Sequence, residues 1–125
     1  MRQMLIIAAV LLAATLPAVA LASHAPTRSE RVQLRKAVTG SKLVQRSVRR
    51  GNFQLVKPRI ADGGRWAKAG IAPTTTYSDP FNAPKGIFRH SSKGWKLVKV
   101  GTARVGCKKP RLPRAVRKDL KLRCG

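Results

Sequence analysis

The apolar residues divide the chain into segments with different patterns. Residues 4–22 form an almost uninterrupted apolar run, and residues 28–50 repeat apolar side chains at helical spacing. Residues 53–100 contain four short runs typical of strands, bounded by Gly and Pro, before a last helical pattern near the C-terminus. This order predicts a small α+β domain with an N-terminal helix, an antiparallel sheet of about four strands and a short C-terminal helix.

The first helical pattern begins at a capping box. Thr27 and Glu30 have the spacing of an N-cap residue and its N3 partner, and Leu34 and Val38 then share one side. Gly40 costs about 1 kcal/mol relative to Ala inside a helix. The pattern therefore allows one long helix or two shorter ones. One helix is favoured by a basic stripe that keeps its register across Gly40 and consists of Arg28, Arg31, Arg35, Lys42, Arg46 and Arg49.

The strand-like runs cover residues 53–60, 65–72, 87–91 and 95–100. Pro58 indicates an edge position or a strand end for the first of them, because proline cannot donate to a neighbouring strand. A turn at residues 62–64 joins the first two runs, and Gly94 supplies the positive φ of a tight hairpin between the last two. The large aromatic side chains in these runs are expected inside, namely Phe53, Trp66, Phe88 and Trp95.

Residues 1–22 have the features of a signal peptide. Arg2 precedes the apolar run, and Ala20 and Ala22 occupy the small-residue positions of a cleavage site. We expect cleavage before Ser23, with a cut after Ala20 as the alternative, and export to the medium or the cell envelope. An uncleaved anchor stays open as well, because the apolar run is just long enough to span a bilayer.

The C-terminal segment combines a short helix with two cysteines. Leu112, Val116 and Leu120 recur every four residues and predict the apolar side of that helix. Cys107 and Cys124 are the only cysteines in the chain, and export would bring them into an oxidising compartment. We therefore predict one disulfide, whose loop of about 18 residues contributes about 3 kcal/mol to stability.

Charge dominates the domain that cleavage would leave, residues 23–125. The chain has 27 Lys or Arg against 4 Asp or Glu, and losing 22 residues, Arg2 among them, leaves 103 residues with a net charge of +22. Such a protein binds anionic polymers through counterion release. The expected partner is a cell-wall polyanion, an anionic lipid surface or a nucleic acid bound without sequence specificity. The candidate anion-binding residues lie on two predicted basic helix faces and in the tail: Arg28, Arg31, Arg35, Arg46, Arg49, Arg50, Lys108, Lys109, Arg111, Arg114, Arg117, Lys118 and Lys121.

The four acids offer little for catalysis. Glu30 belongs to the helix cap, Asp62 to a turn and Asp79 to a loop, while Asp119 is expected to tie the tail helix to the sheet. No two carboxylates have a spacing that indicates acid–base work, and no nucleophile, phosphate-loop or metal-ligand motif is present in the sequence. We therefore expect a protein that is not an enzyme and uses no cofactor, metal or small-molecule substrate.

Residues 73–86 support an alternative function. This loop carries Tyr77 and Phe81, the two aromatic residues that the predicted core does not need. If this loop presents its aromatic side chains to a partner, the protein is a secreted interaction, inhibitor or toxin-like factor.

Residues 23–26 carry no pattern of apolar residues, and we expect them to be a disordered lead-in to the first helix.

The C-terminal half resembles a known family. The residues concerned are Gly94-Trp95-Lys96-Leu97-Val98, Gly101-Thr102, Gly106-Cys107, Pro113-Arg114-Ala115-Val116-Arg117, Asp119-Leu120 and Cys124. They resemble small secreted actinobacterial proteins with a GW(K/R)xV strand, a GT step and a cysteine pair around a PxxVRxDL helix. This resemblance, over about the last 60 residues, implies export, the disulfide and an α+β fold. It implies no activity and no catalytic residue.

Overall fold

Three helices and one antiparallel sheet form the fold of the residues that the structure describes. The structure, a computed structural model, describes residues 23–74, 83–101, 104–108, 111–122 and 124. Its elements are α1 (Arg28–Thr39), α2 (Arg46–Arg49), β1 (Phe53–Ile60), β2 (Trp66–Pro73), β3 (Lys85–Ser91), β4 (Gly94–Gly101) and α3 (Arg114–Asp119). The predicted α+β class is confirmed. The predicted signal peptide lies outside the described residues.

The sheet is a meander in the order β1-β2-β3-β4, with antiparallel pairing throughout. Successive side chains of a strand point to opposite faces, so both faces need a cover. Phe88 faces one cluster of buried side chains and its neighbour Ile87 faces the other. The sheet therefore lies between two layers.

Helices α1 and α2 cover the first face. Leu34, Val38 and Val48 pack there against Phe53 and Phe88, all of them buried. The predicted capping box is present, because the Thr27 Oγ1 accepts from Glu30 N and Glu30 Oε1 accepts from Thr27 N. Within the described residues, no helix is long and apolar enough to cross a membrane.

The basic stripe across Gly40 does not form one helix. Gly40 ends α1, with its N–H donating to the carbonyl of Lys36, and α2 starts at Arg46 after a turn. In that turn Ser41 Oγ accepts from Leu43 N, a local bond that competes with continuing the helix. The charges on α1 and α2 therefore belong to two separate helices.

The C-terminal tail covers the second face. Leu112 and Leu120 are buried there against Ile87, Val105 and Ala61. The predicted disulfide between the two cysteines is present and encloses α3. Trp66 and Trp95 correct one expectation, because both are half-buried rather than fully inside. Trp66 lies beneath the Arg89 guanidinium, and Trp95 stacks on His90.

The segment before α1 is not the disordered lead-in expected from its sequence. His24 N donates to Ile60 O over 2.9 Å, and Ile60 N donates to His24 O over 2.8 Å. Strand β1 lies at the edge of the sheet, one of the two positions that Pro58 indicated, and its outer side supplies the backbone partners for this bridge. Sequence patterns do not show this pairing because it depends on backbone groups alone.

Candidate anion-binding cleft

The candidate residues on the two N-terminal helices do not share one role. Arg28 and Arg31 on α1 are exposed, as are three arginines on and after α2: Arg46, Arg49 and Arg50. Arg35 is half-buried, and its guanidinium lies 4.2 Å from the centre of the Phe53 ring. It also donates to the carbonyls of Phe53 and Gly51, so Arg35 holds α1 against the sheet. The Arg35 guanidinium is therefore engaged within the protein and contributes less to anion binding than the exposed arginines.

The candidate residues of the tail also spread over the surface. Lys108, Arg111, Arg114, Lys118 and Lys121 are exposed. Arg117 is half-buried, and its Nε is a buried donor without a partner among the described residues. Lys109 lies outside the described residues, as do Tyr77, Asp79 and Phe81 of the predicted interaction loop.

Five cations meet in a cleft that the sequence did not predict. The cleft has a volume of about 410 Å³ and lies where the tail crosses the second face of the sheet. Its cationic lining consists of Lys57, Arg59, Lys68, Lys85 and Lys121, from three strands and the tail. Among these, only Lys121 was a candidate from the sequence. We call this site the cationic cleft.

A β-bulge brings the first two cations to the cationic cleft. The register of β1 against β2 shifts between Val56 and Arg59, and Lys57 adopts a φ of +47° at the shift. Bulges bend a strand and redirect its side chains. Arg59, just after the bulge, donates from Nε to Ser23 Oγ over 3.1 Å and from Nη2 to the Ser23 carbonyl. Arg59 thus forms the wall beside the N-terminal segment.

Lys68 and Lys85 form the sheet side of the cationic cleft. Lys68 lies on β2, and Lys85 on β3 is paired with Gly70 two residues further along β2. Lys68 Nζ donates to the carbonyl of Leu120 over 2.6 Å, at the C-terminal end of α3 where carbonyls lack helical partners. Burial lowers the pKa of Lys68, and the nearby charges of Lys85 and Lys121 lower it further.

Lys121 completes the cationic cleft from an unusual backbone position. Helix α3 ends in a Schellman motif, with Leu122 N donating to Arg117 O and Lys121 N donating to Lys118 O. The first residue after the cap of such a motif needs a left-handed conformation and is usually Gly. Here that residue is Lys121, which has a φ of +57°. Lys57 and Lys121 are the two described non-glycine residues with positive φ, and both line the cationic cleft.

We expect Lys121→Gly to raise stability and weaken anion binding at the same time. Glycine removes the left-handed backbone strain of about 1 kcal/mol, which corresponds to a melting temperature about 4 °C higher. Losing one phosphate contact lowers affinity for duplex DNA about fivefold at 0.15 M salt. Thermal melts and DNA titrations measure both effects.

The control for this prediction is Lys121→Ala, which removes the same charge and keeps the strain. It should lose the same affinity without the gain in stability. Equal melting temperatures for the two variants would contradict the strain argument, and unchanged DNA affinity in both would remove Lys121 from the binding site.

Among the described residues, one acid lines the cationic cleft. Asp119 Oδ1 accepts from Ser23 N over 2.6 Å, and its Oδ2 accepts from Asp62 N over 2.7 Å. Asp119 is thus a hydrogen-bonded tie for α3 as expected, but it binds the β1–β2 turn and the N-terminal segment instead of a strand of the sheet. At the end of α3 the carboxylate faces the negative end of the helix dipole, so these two donors account for its position.

Comparisons with known proteins identify no relative of this chain. No protein-family model, curated protein or solved structure matches the chain. The resemblance to small secreted actinobacterial proteins stays a prediction. Within the described residues, no three His, Cys, Asp or Glu side chains are grouped in a way that could hold a metal ion.

Proposed function

We propose that this chain is an exported, non-enzymatic protein that binds anionic polymers or surfaces electrostatically, with the cationic cleft as its strongest site. The observation that carries this proposal is the convergence of five cations on one concavity whose described lining residues include a single acid. Candidates for the partner are a cell-wall polyanion, a nucleic acid and an anionic lipid surface. A concave site accommodates the phosphate groups of a polymer strand better than it fits a flat membrane.

The cationic cleft concentrates like charge at an energetic cost. Lysines placed together repel one another, and the lowered pKa of Lys68 reflects both this repulsion and its burial. A bound anion would offset the repulsion and stabilise the folded protein, because it binds only where the cations are assembled. Lysine ammonium groups suit such a ligand, since each is a point charge with three rotatable donors.

The remaining cations extend the site electrostatically. Exposed Lys118 is next to Asp119 on α3, and exposed Arg114 is one turn earlier. These side chains add to the field that attracts a polyanion but are not organised around one position. Affinity should therefore depend on cleft residues more strongly than on net charge.

The test compares three double variants with the same net charge. The cleft variant is Lys57→Gln/Lys85→Gln, the helix-face variant is Arg28→Gln/Arg31→Gln, and the matched control is Lys36→Gln/Lys93→Gln. Each is titrated with duplex DNA, heparin and anionic vesicles from 0.05 to 0.5 M salt. We expect the cleft variant to lose about 30-fold in DNA affinity at 0.15 M salt and its salt slope to fall by about 2.

The other two variants should lose only a few-fold in affinity. Equal losses in all three would show that binding depends on diffuse charge instead of the cationic cleft. Affinity that does not change with salt would contradict electrostatic binding altogether. Stronger binding to vesicles than to either polymer would identify a membrane surface as the partner.

A further inference from the structure

Ser23 is held in the structure by every polar group it has. Its N–H donates to Asp119, its Oγ accepts from Arg59 Nε, and its carbonyl accepts from Arg59 Nη2. The next residue, His24, is fixed by two backbone bonds to Ile60. Hydrogen bonds at Ser23 and His24 therefore fix the segment that precedes α1.

We propose that the Ala22–Ser23 bond is the processing site and that Asp119 is the binding site for the α-ammonium group that processing creates. Hydrolysis adds one water across this peptide bond. The hydroxyl goes to the Ala22 carbonyl carbon, and a proton goes to the Ser23 nitrogen. At neutral pH that amine takes up a further proton and becomes a cation 2.6 Å from Asp119 Oδ1. A neutral hydrogen bond thereby becomes a charge pair.

The surroundings explain why this pair matters. The new cation would lie beside Arg59 and at the rim of the cationic cleft, which Ser23 also lines. Asp119 is the one acid among the described residues that line the cleft. Its carboxylate would offset the positive charge of the ammonium group, which the neighbouring cations would otherwise repel. The second oxygen of Asp119 is held by Asp62 N, which leaves Oδ1 aimed at the Ser23 nitrogen.

Cleavage would therefore couple export to the final structure. The charged terminus would tighten the contact between the N-terminal segment, α3 and the β1–β2 turn. It would also bring a sixth cation to the cationic cleft. The inference rests on the predicted cleavage position and on the Asp119 geometry. It is independent of polyanion binding, because its readouts are the identity of the terminus and thermal stability.

The first experiment is intact-mass analysis of the exported protein, expected to begin at Ser23. A mature protein beginning at another residue would overturn the proposal. The second compares proteins that begin at Ser23 or at Ala22, each with Asp119 intact or as Asp119→Asn. With Asp119 intact, the Ser23 form should melt about 4–8 °C higher, the shift expected for one partly buried charge pair in a domain of this size.

With Asp119→Asn, the difference between the two termini should fall below about 1 °C. An equal difference in both backgrounds would show that Asp119 does not bind the ammonium group. A third protein, beginning at Ser23 but acetylated there, tests the charge without any substitution, because acetylation keeps an N–H donor. Its melting temperature should equal that of the form beginning at Ala22. An acetylated protein as stable as the one with a free amine would contradict the proposed charge pair.

Discussion

Removing the Cys107–Cys124 bond is expected to lower the free energy of unfolding by about 3 kcal/mol and the melting temperature by about 12 °C or more. The bond joins residues 17 apart in sequence and encloses α3, a helix of six residues. Isolated helices of that length are unstable in water. With the bond removed, the tail would be held by the burial of Leu112 and Leu120 and by the hydrogen bonds of Asp119 and of the Leu120 carbonyl.

The measurement compares the oxidised protein with its reduced form and with Cys107→Ser/Cys124→Ser. Since the chain has no other cysteine, reduction affects this bond alone. Hydrogen exchange should show lost protection at Leu120 and Leu122, whereas Leu34 in α1 keeps its protection. A melt that reduction leaves unchanged would show that the bond contributes no stability. Because Leu120 and Lys121 line the cationic cleft, anion affinity should also fall when the disulfide bond is removed.

The elements that the sequence predicted well depend on neighbouring residues. The capping box requires only Thr27 and Glu30 at the right spacing, and it sets the start of α1 where expected. Strand β1 has the predicted bounds, and the hairpin at Gly94 has the predicted positive φ. The disulfide followed from the number of cysteines and the predicted signal peptide.

The cationic cleft could not be predicted in the same way. Lys57, Lys68 and Lys85 lie on three different strands, and the pairing of those strands decides that they meet. A bulge at Lys57 shifts the register, and no residue pattern in β1 marks it except Pro58. Helical spacing, in contrast, groups charges within one segment, which is why the sequence pointed to the helix faces.

Lys121 shows a second limit of sequence analysis. A Schellman motif is normally recognised by its glycine, and the chain has lysine at that position. The spacing of Leu112, Val116 and Leu120 therefore predicts the tail helix without a defined end. A charged residue that occupies a position better suited to glycine is itself a signal, because strained backbone is concentrated at functional sites.

Substitution of Asp119 should produce the other large effect. In Asp119→Ala the N–H groups of Ser23 and Asp62 lose a charged acceptor, and bonds of this kind are worth about 1.5–3 kcal/mol each. The variant also leaves the five cations of the cleft without an acid among the lining residues. We expect the free energy of unfolding to fall by about 3 kcal/mol in chloride buffer, measured by urea titration.

A polyanion should restore much of this loss. The stabilisation that a ligand gives grows with its affinity for the folded state. If the cationic cleft binds anions as proposed, removing the acid should raise that affinity. Heparin should therefore raise the melting temperature of Asp119→Ala more than that of the unchanged protein. Glu30→Ala is the matched control, because it removes the same charge from the cap of α1, where Glu30 accepts from Thr27 N. If heparin stabilises both variants equally, the acid does not tune the cationic cleft and the gain reflects net charge alone.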